Sequence, residues 1–194
     1  MSTHEGVSVS GAFWSLSPVV AITSAWEGEI NGQIAVTAVN SSIICSYPRL
    51  LLGIWKKNYT HGFITKSKKL VVHLLRKDQL ETVKNFGFYT GRERDKFQGI
   101  EHDTGSATGC PVLRDCHSYA ECEVINAMDG GDMTAFLVNV IHGGIVTGGE
   151  WMTLSGFYSE APPEWIAQYE SRLSESVEYS LKIIDKIDYS PWKP

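Results

Sequence analysis

A mainly β architecture, an antiparallel barrel or sandwich finished by a C-terminal helix, is predicted by three features of this sequence. Short segments rich in β-branched and aromatic residues recur through the first 155 positions, with Gly, Asn, Asp or Pro between most of them. Two of the intervening stretches, Glu29-Ile30-Asn31-Gly32 and Asp129-Gly130-Gly131-Asp132, carry hairpin chemistry. Beyond Pro163 the apolar residues switch to spacings of three and four, the period of a helix.

The expected strands cover residues 19–26, 33–39, 50–55, 70–75, 119–127 and 134–141. Asn31-Gly32 tolerates positive φ at both positions, so the first two strands are expected to pair through a turn there. The Asp129 to Asp132 stretch joins the fifth strand to the sixth. Thr60 can cap a short helix running to about Lys66, and Asp78 with Glu81 forms a capping-box-like start to another that Gly87 can stop. Trp165, Ile166, Tyr169, Leu173, Val177, Leu181 and Ile184 form one stripe of an amphipathic helix of about 22 residues. That stripe must be buried on the barrel or on a second subunit. The chain therefore divides into a barrel over residues 1–155 and a helical extension over 156–194.

With 17 Lys and Arg against 22 Asp and Glu in 194 residues, the net charge of −5 argues against a nucleic-acid partner. A chain of this size buries roughly 70% of its unfolded surface and needs no disulfide or metal to hold a core. The longest apolar runs, residues 18–25 and 49–55, fall far short of the ~20 residues of a membrane span. Residues 1–10 lack the basic start and apolar stretch of a signal peptide, so the expectation is a soluble, cytoplasmic protein without a membrane partner. Cys45, Cys110, Cys116 and Cys122 match no zinc spacing and read as free thiols, and without a secretory signal the Asn40 and Asn58 sequons read as chance matches. No nucleophilic triad, Walker loop, dinucleotide GxGxxG or HExxH is present, so neither a catalytic side chain nor a metal site is assigned. His73, in an apolar strand, reads as a satisfied core residue.

Two segments offer binding chemistry. Residues 32–42 are small or hydroxyl-bearing, which suits a flat aromatic ligand lying close to backbone N–H groups and equally suits a strand packed on a neighbour. Lys56-Lys57-Asn58-Tyr59-Thr60-His61 brings cations, an amide and a hydroxyl to a helix start, a setting for a phosphate or simply an N-cap with solvated lysines.

The order of residues 18–23, 31–38, 47–50, Asn58-Tyr59-Thr60-His61, Arg94-Asp95-Lys96-Phe97-Gln98-Gly99 and Gly131-Asp132-Met133-Thr134 resembles the flavin reductase-like family, flavoredoxins included, over about residues 11–145. The resemblance implies a split β-barrel that forms a homodimer and binds FMN, less commonly FAD, non-covalently near the subunit contact. Carried over by position, Val36, Thr37, Ala38, Val39, Asn40 and Ser41 would line the isoalloxazine. Lys56, Asn58, Tyr59 and Thr60 would hold the phosphate end, and Lys96 and Phe97 would close over the cofactor. Three positions depart from the family pattern. Met133 replaces the histidine of Gly-Asp-His that is associated with a nicotinamide donor, Ser46-Tyr47-Pro48 replaces Asp-Pro-Pro, and Val138-Asn139 replaces Gly-Glu. The implied function is an oxidoreductase that passes electrons through FMN, taking them from NAD(P)H or, as Met133 suggests, from a reduced redox protein. The alternative is a non-catalytic flavin carrier or another split-barrel ligand-binding protein.

Overall fold

The computed structural model describes residues 17–193. Nine strands form, β1 (Val20–Trp26), β2 (Glu29–Ala35), β3 (Ala38–Asn40), β4 (Arg49–Trp55), β5 (Lys69–Leu74), β6 (His102–Thr104), β7 (Pro111–Leu113), β8 (Ser118–Asp129) and β9 (Met133–Ile145). Seven of them make one curled antiparallel half-barrel in the order β2-β1-β5-β8-β9-β4-β3, while β6 and β7 pair apart. Among the described residues four helices flank them, α1 (Tyr59–Ser67), α2 (Leu80–Gly87), α3 (Leu154–Glu160) and α4 (Pro163–Ser180). The mainly β expectation and the split-barrel class both hold.

β1 and β2 pair directly, as expected, but the turn is Glu27-Gly28, with φ of 51° and 83°. Two consecutive positive φ values give the hairpin its twist-matched geometry. Asn31-Gly32 instead lies inside β2, opposite Ser24 and Thr23. Gly32 is there for close packing, because a Cβ would come within 2.4 Å of the Phe86 ring. The second hairpin forms where expected, between Asp129 and Met133, and Gly131 supplies a φ of 85°.

Both predicted caps are corrected. Asn58, not Thr60, precedes α1, and it makes no side-chain cap bond. Asp78 does not cap α2, because it is drawn to the Arg76 guanidinium. Gln79 precedes that helix and braces its entry: its Oε1 accepts the Arg76 N–H at 2.8 Å and its Nε2 donates to the Asp115 carbonyl at 2.7 Å.

Two apolar cores result. Alternating side chains of Ile22, Leu52, Ile54, Leu70 and Val138 fill the barrel with Ile64 of α1. Val19, Ala21 and Leu75 look outward and are covered by Phe86, Phe88, Met152 and Phe157. α4 is shorter than expected, and only its first half, through Trp165, Ile166 and Tyr169, packs on this second core. Val177 and Leu181 stay exposed, and the following tail crosses the barrel to lay Trp192 against the first core.

His73 is satisfied within the fold. Its Nε2 accepts from Leu113 N at 3.0 Å, which leaves Nδ1 protonated to donate to the Ala21 carbonyl at 3.2 Å. Cys110, Cys116 and Cys122 are buried, Cys45 is exposed, and none is bonded to another. Among the described residues no helix is long and apolar enough to cross a membrane.

Candidate functional site

The end of β2, the end of β4 and the start of α1 surround a cleft that continues outward beneath α4. Its inner part is a slot of about 180 Å³ walled by Val36, Thr37, Trp55, Phe88, Met133 and Tyr169. Gly53 forms part of the same wall; a Cβ there would meet Thr37 at 3.0 Å, so the glycine keeps β4 close to the chain after β2. The outer part is a polar chamber of about 720 Å³. Gln33, Ile34, Trp55, Asn58 and Gly87 line both parts, so the two are continuous.

The first turn of α1 faces this chamber through Tyr59 and Thr60. First-turn amides have no acceptor within their own helix, and Asn58 supplies none from its side chain, so this end of α1 can receive an anion. Four cations stand around it: Lys57, Arg92, Lys96 and Arg172, against two carboxylates, Glu93 and Glu175. Arg92 donates to the Lys57 carbonyl at 3.2 Å and its guanidinium lies 4.7 Å from the Tyr59 ring centre. Lys57 is held between aromatic faces, 5.7 Å from Trp55 and 4.8 Å from Tyr179. Lys96 is almost wholly buried and donates from Nζ to the carbonyls of Gly32 and Phe86, each at 2.8 Å. Burial, with nearby Arg94, pulls its pKa down to about 8.

Six of the predicted site residues reach the cleft: Val36 and Thr37 in the slot, Asn58 in both parts, and Tyr59, Thr60 and Lys96 in the chamber. Ala38 packs toward the barrel core, while Val39, Asn40 and Ser41 lie exposed on the β3 edge, outside the cleft. Lys56 is turned away into an ion pair with Asp129 at 2.5 Å. Phe97 is buried between the Phe86 and His102 rings, at centroid distances of 5.2 and 4.8 Å, and belongs to the second core.

Gln33, Trp55, Thr90, Gly91 and Arg92 were missed, as was the α4 contribution of Gln168, Ser171, Arg172 and Ser176. Gln33 lies inside the small-residue segment and Trp55 at the end of an expected strand, so local sequence held a signal for both. Nothing local marks Arg172, which reaches the chamber only because α4 folds back across it.

The flavin reductase like domain family matches residues 15–158, which places α4 outside the matched region. A high molecular weight rubredoxin of Moorella thermoacetica is 32% identical over 150 residues, covering 76% of this chain and 64% of that protein. The chain thus spans less than two thirds of that relative's length. An NAD(P)H ferric-chelate reductase of Archaeoglobus fulgidus is 29% identical over 152 residues, covering 76% of this chain and 87% of the relative. Among solved structures, an NADH:FAD oxidoreductase from Streptomyces globisporus superposes with a TM-score of 0.70 at 23% identity, over 81% of this chain and 93% of that one.

Proposed function

We propose, from the premise that this chain belongs to the flavin reductase-like family, that it is an oxidoreductase working through a non-covalent FMN seated in the slot and chamber. The observation that carries this reading is the continuity of an apolar slot with a cation-lined chamber at the start of α1, the order in which a flat ring and a phosphate follow one another in FMN. The residues fit that group: Val36, Thr37 and Trp55 would flank the ring, while Asn58, Tyr59, Thr60 and Lys57 would receive the phosphate. When bound, the flavin supplies the redox chemistry. The protein orients it, excludes water from the slot with Phe88, Met133 and Tyr169, and neutralises the phosphate with Lys57, Arg92 and Arg172. The family resemblance favours FMN over FAD. A named relative takes electrons from NAD(P)H, and either that donor or a reduced redox protein would serve this chain.

A homodimer forms part of the same proposal. Val39 faces Leu51 across β3 and β4, both exposed, and Ile43 and Ile44 beside them are exposed too, an apolar edge that a second copy would cover. Four unbonded thiols suit a reducing, cytoplasmic setting. The test is the visible spectrum of purified protein followed by chromatography of the cofactor released on denaturation. A yellow protein that yields FMN and bleaches with a reduced donor supports the reading. A colourless protein that also takes up no added flavin ends it, and flavin that is held but never turned over would mark a carrier.

A further inference from the structure

Among the described residues, two buried side-chain atoms have no hydrogen-bond partner, Asn31 Nδ2 and Gln33 Oε1. Asn31 is partly explained, since its Oδ1 accepts the Gly32 N–H at 2.8 Å. Gln33 is not. Its side chain is about 96% buried, it lines both slot and chamber, and its carbonyl oxygen is left facing no donor of the protein. Leaving a buried acceptor unpaired is costly, so the occupant of the cleft is the natural source of the missing donor.

Position and chemistry together narrow what that donor is. A phosphate dianion carries only acceptors and would repel the carbonyl oxygen, and the first-turn residues Tyr59 and Thr60 of α1, with Lys57, Arg92 and Arg172, line the chamber and not the slot. The apolar slot lies on the other side, walled by Val36, Trp55 and Met133. Gln33 lines both, at the junction that a ligand crosses in passing from slot to chamber. In a ring, polyol and phosphate sequence, that stretch is the polyol, whose hydroxyls donate. Resting on the proposed flavin function, we infer that Gln33 is the residue that recognises the ribityl chain, its Oε1 accepting a hydrogen bond from a ribityl hydroxyl and so selecting flavins that carry this chain.

The experiment compares wild type and Gln33→Leu, each freed of cofactor, by fluorescence titration with FMN, with riboflavin, which lacks the phosphate, and with lumiflavin, which lacks the polyol. Gln33→Leu weakens FMN and riboflavin by about tenfold, the value of one buried hydrogen bond, and leaves lumiflavin unchanged. The melting temperature of the cofactor-free variant stays level or rises, because an unpaired buried carbonyl has been replaced by an apolar group of similar size. If Leu lowers it, the unbranched Gln33→Met is used in its place. An equal loss for lumiflavin, or no loss for riboflavin, overturns the inference while leaving the flavin reading intact. Failure of the wild type to bind any of the three overturns both.

Discussion

Lys56 Nζ lies 2.5 Å from Asp129 Oδ1, tying the end of β4 to the β8–β9 hairpin and taking this cation out of the cleft. The clamp is reinforced by the Lys56 N–H donating to the Asp132 carbonyl at 2.9 Å and by the Gly131 amide donating to Asp129 Oδ1 at 2.7 Å. Burial acts to raise the Asp129 carboxyl, but the Lys56 hydrogen bond and the Gly131 amide outweigh it and hold the group below the usual carboxylate range.

The adjacent lysines are thus expected to separate in function. Lys57→Met should weaken FMN by roughly two- to fivefold, with a loss that shrinks as salt rises, and leave riboflavin unchanged. Lys56→Met should leave both affinities alone and lower stability by about 1 kcal/mol or less. Titrations of both variants with both flavins, at low and high salt, check the assignment. An FMN-specific loss in Lys56→Met would contradict it.

His73 predicts an acid limb in the stability of the protein. Burial lowers its pKa from 6.5 to about 4, with the hydrogen bond to Ala21 acting weakly the other way. Between those values the unfolded chain takes up a proton that the folded chain refuses, so stability falls as pH drops through this window. The slope is about 1.4 kcal/mol per pH unit and the total at pH 4 roughly 3 kcal/mol. The slope halves at pH 6.5 and vanishes about one pH unit above it. Denaturant midpoints from pH 7 to pH 4 should show this limb, and His73→Gln should flatten it by one proton while lowering stability at neutral pH.

What the sequence made legible follows from the range of the forces involved. Strand alternation and the β8–β9 hairpin are local: the hairpin was read correctly, while the strand expected over residues 33–39 breaks after Ala35 into β2 and β3, and the short β6–β7 pair was not read. The β1–β2 turn was misplaced because Asn31-Gly32 has ideal turn chemistry, whereas the real turn puts Glu27 at a φ of 51°. What decides between them is the Phe86 ring, 54 positions on from Gly32, whose approach admits no Cβ there. The site divides in the same way. Thr37, Asn58 and Thr60 lie in segments whose residue types announce them. Choosing Lys57 over Lys56 required knowing that Asp129 stands beside Lys56, and Arg172 required the path of α4. Phe97 was taken for a cover over the cofactor, yet an aromatic beside a charged turn has no local signal to distinguish cover from core.

The exposed Val39 and Leu51 pair predicts how the proposed dimer should respond to charge. Wild-type protein at micromolar concentration should sediment at twice the 21.5 kDa chain mass. Leu51→Glu puts a carboxylate into that apolar edge and should shift the protein toward monomer, with little effect on its monomeric core because Leu51 is 37% exposed. A wild type that sediments as a clean monomer with flavin bound would remove the dimer from the proposal.

Met133 opens β9 directly opposite Trp55 of β4, and both side chains line the slot, so the residue that follows the β8–β9 hairpin touches the space assigned to the flavin ring. The resemblance to many flavin reductases implies a histidine at this place, associated with the nicotinamide donor. A thioether is only a weak acceptor and carries neither a donor N–H nor a charge, so this wall of the slot can exclude water but cannot seat a carboxamide through hydrogen bonds. Reduction by NADH and NADPH should therefore be slow in stopped flow, while dithionite reduces the bound flavin readily. Met133→His should speed nicotinamide-driven reduction by about tenfold or more, which corresponds to restoring one or two hydrogen bonds. The ring has room to turn toward the slot because Met133 is only half-buried. Rapid reduction of the unmodified protein by either nicotinamide at micromolar concentration would show that the thioether is no obstacle, and the donor would then be assigned to NAD(P)H rather than to a redox protein.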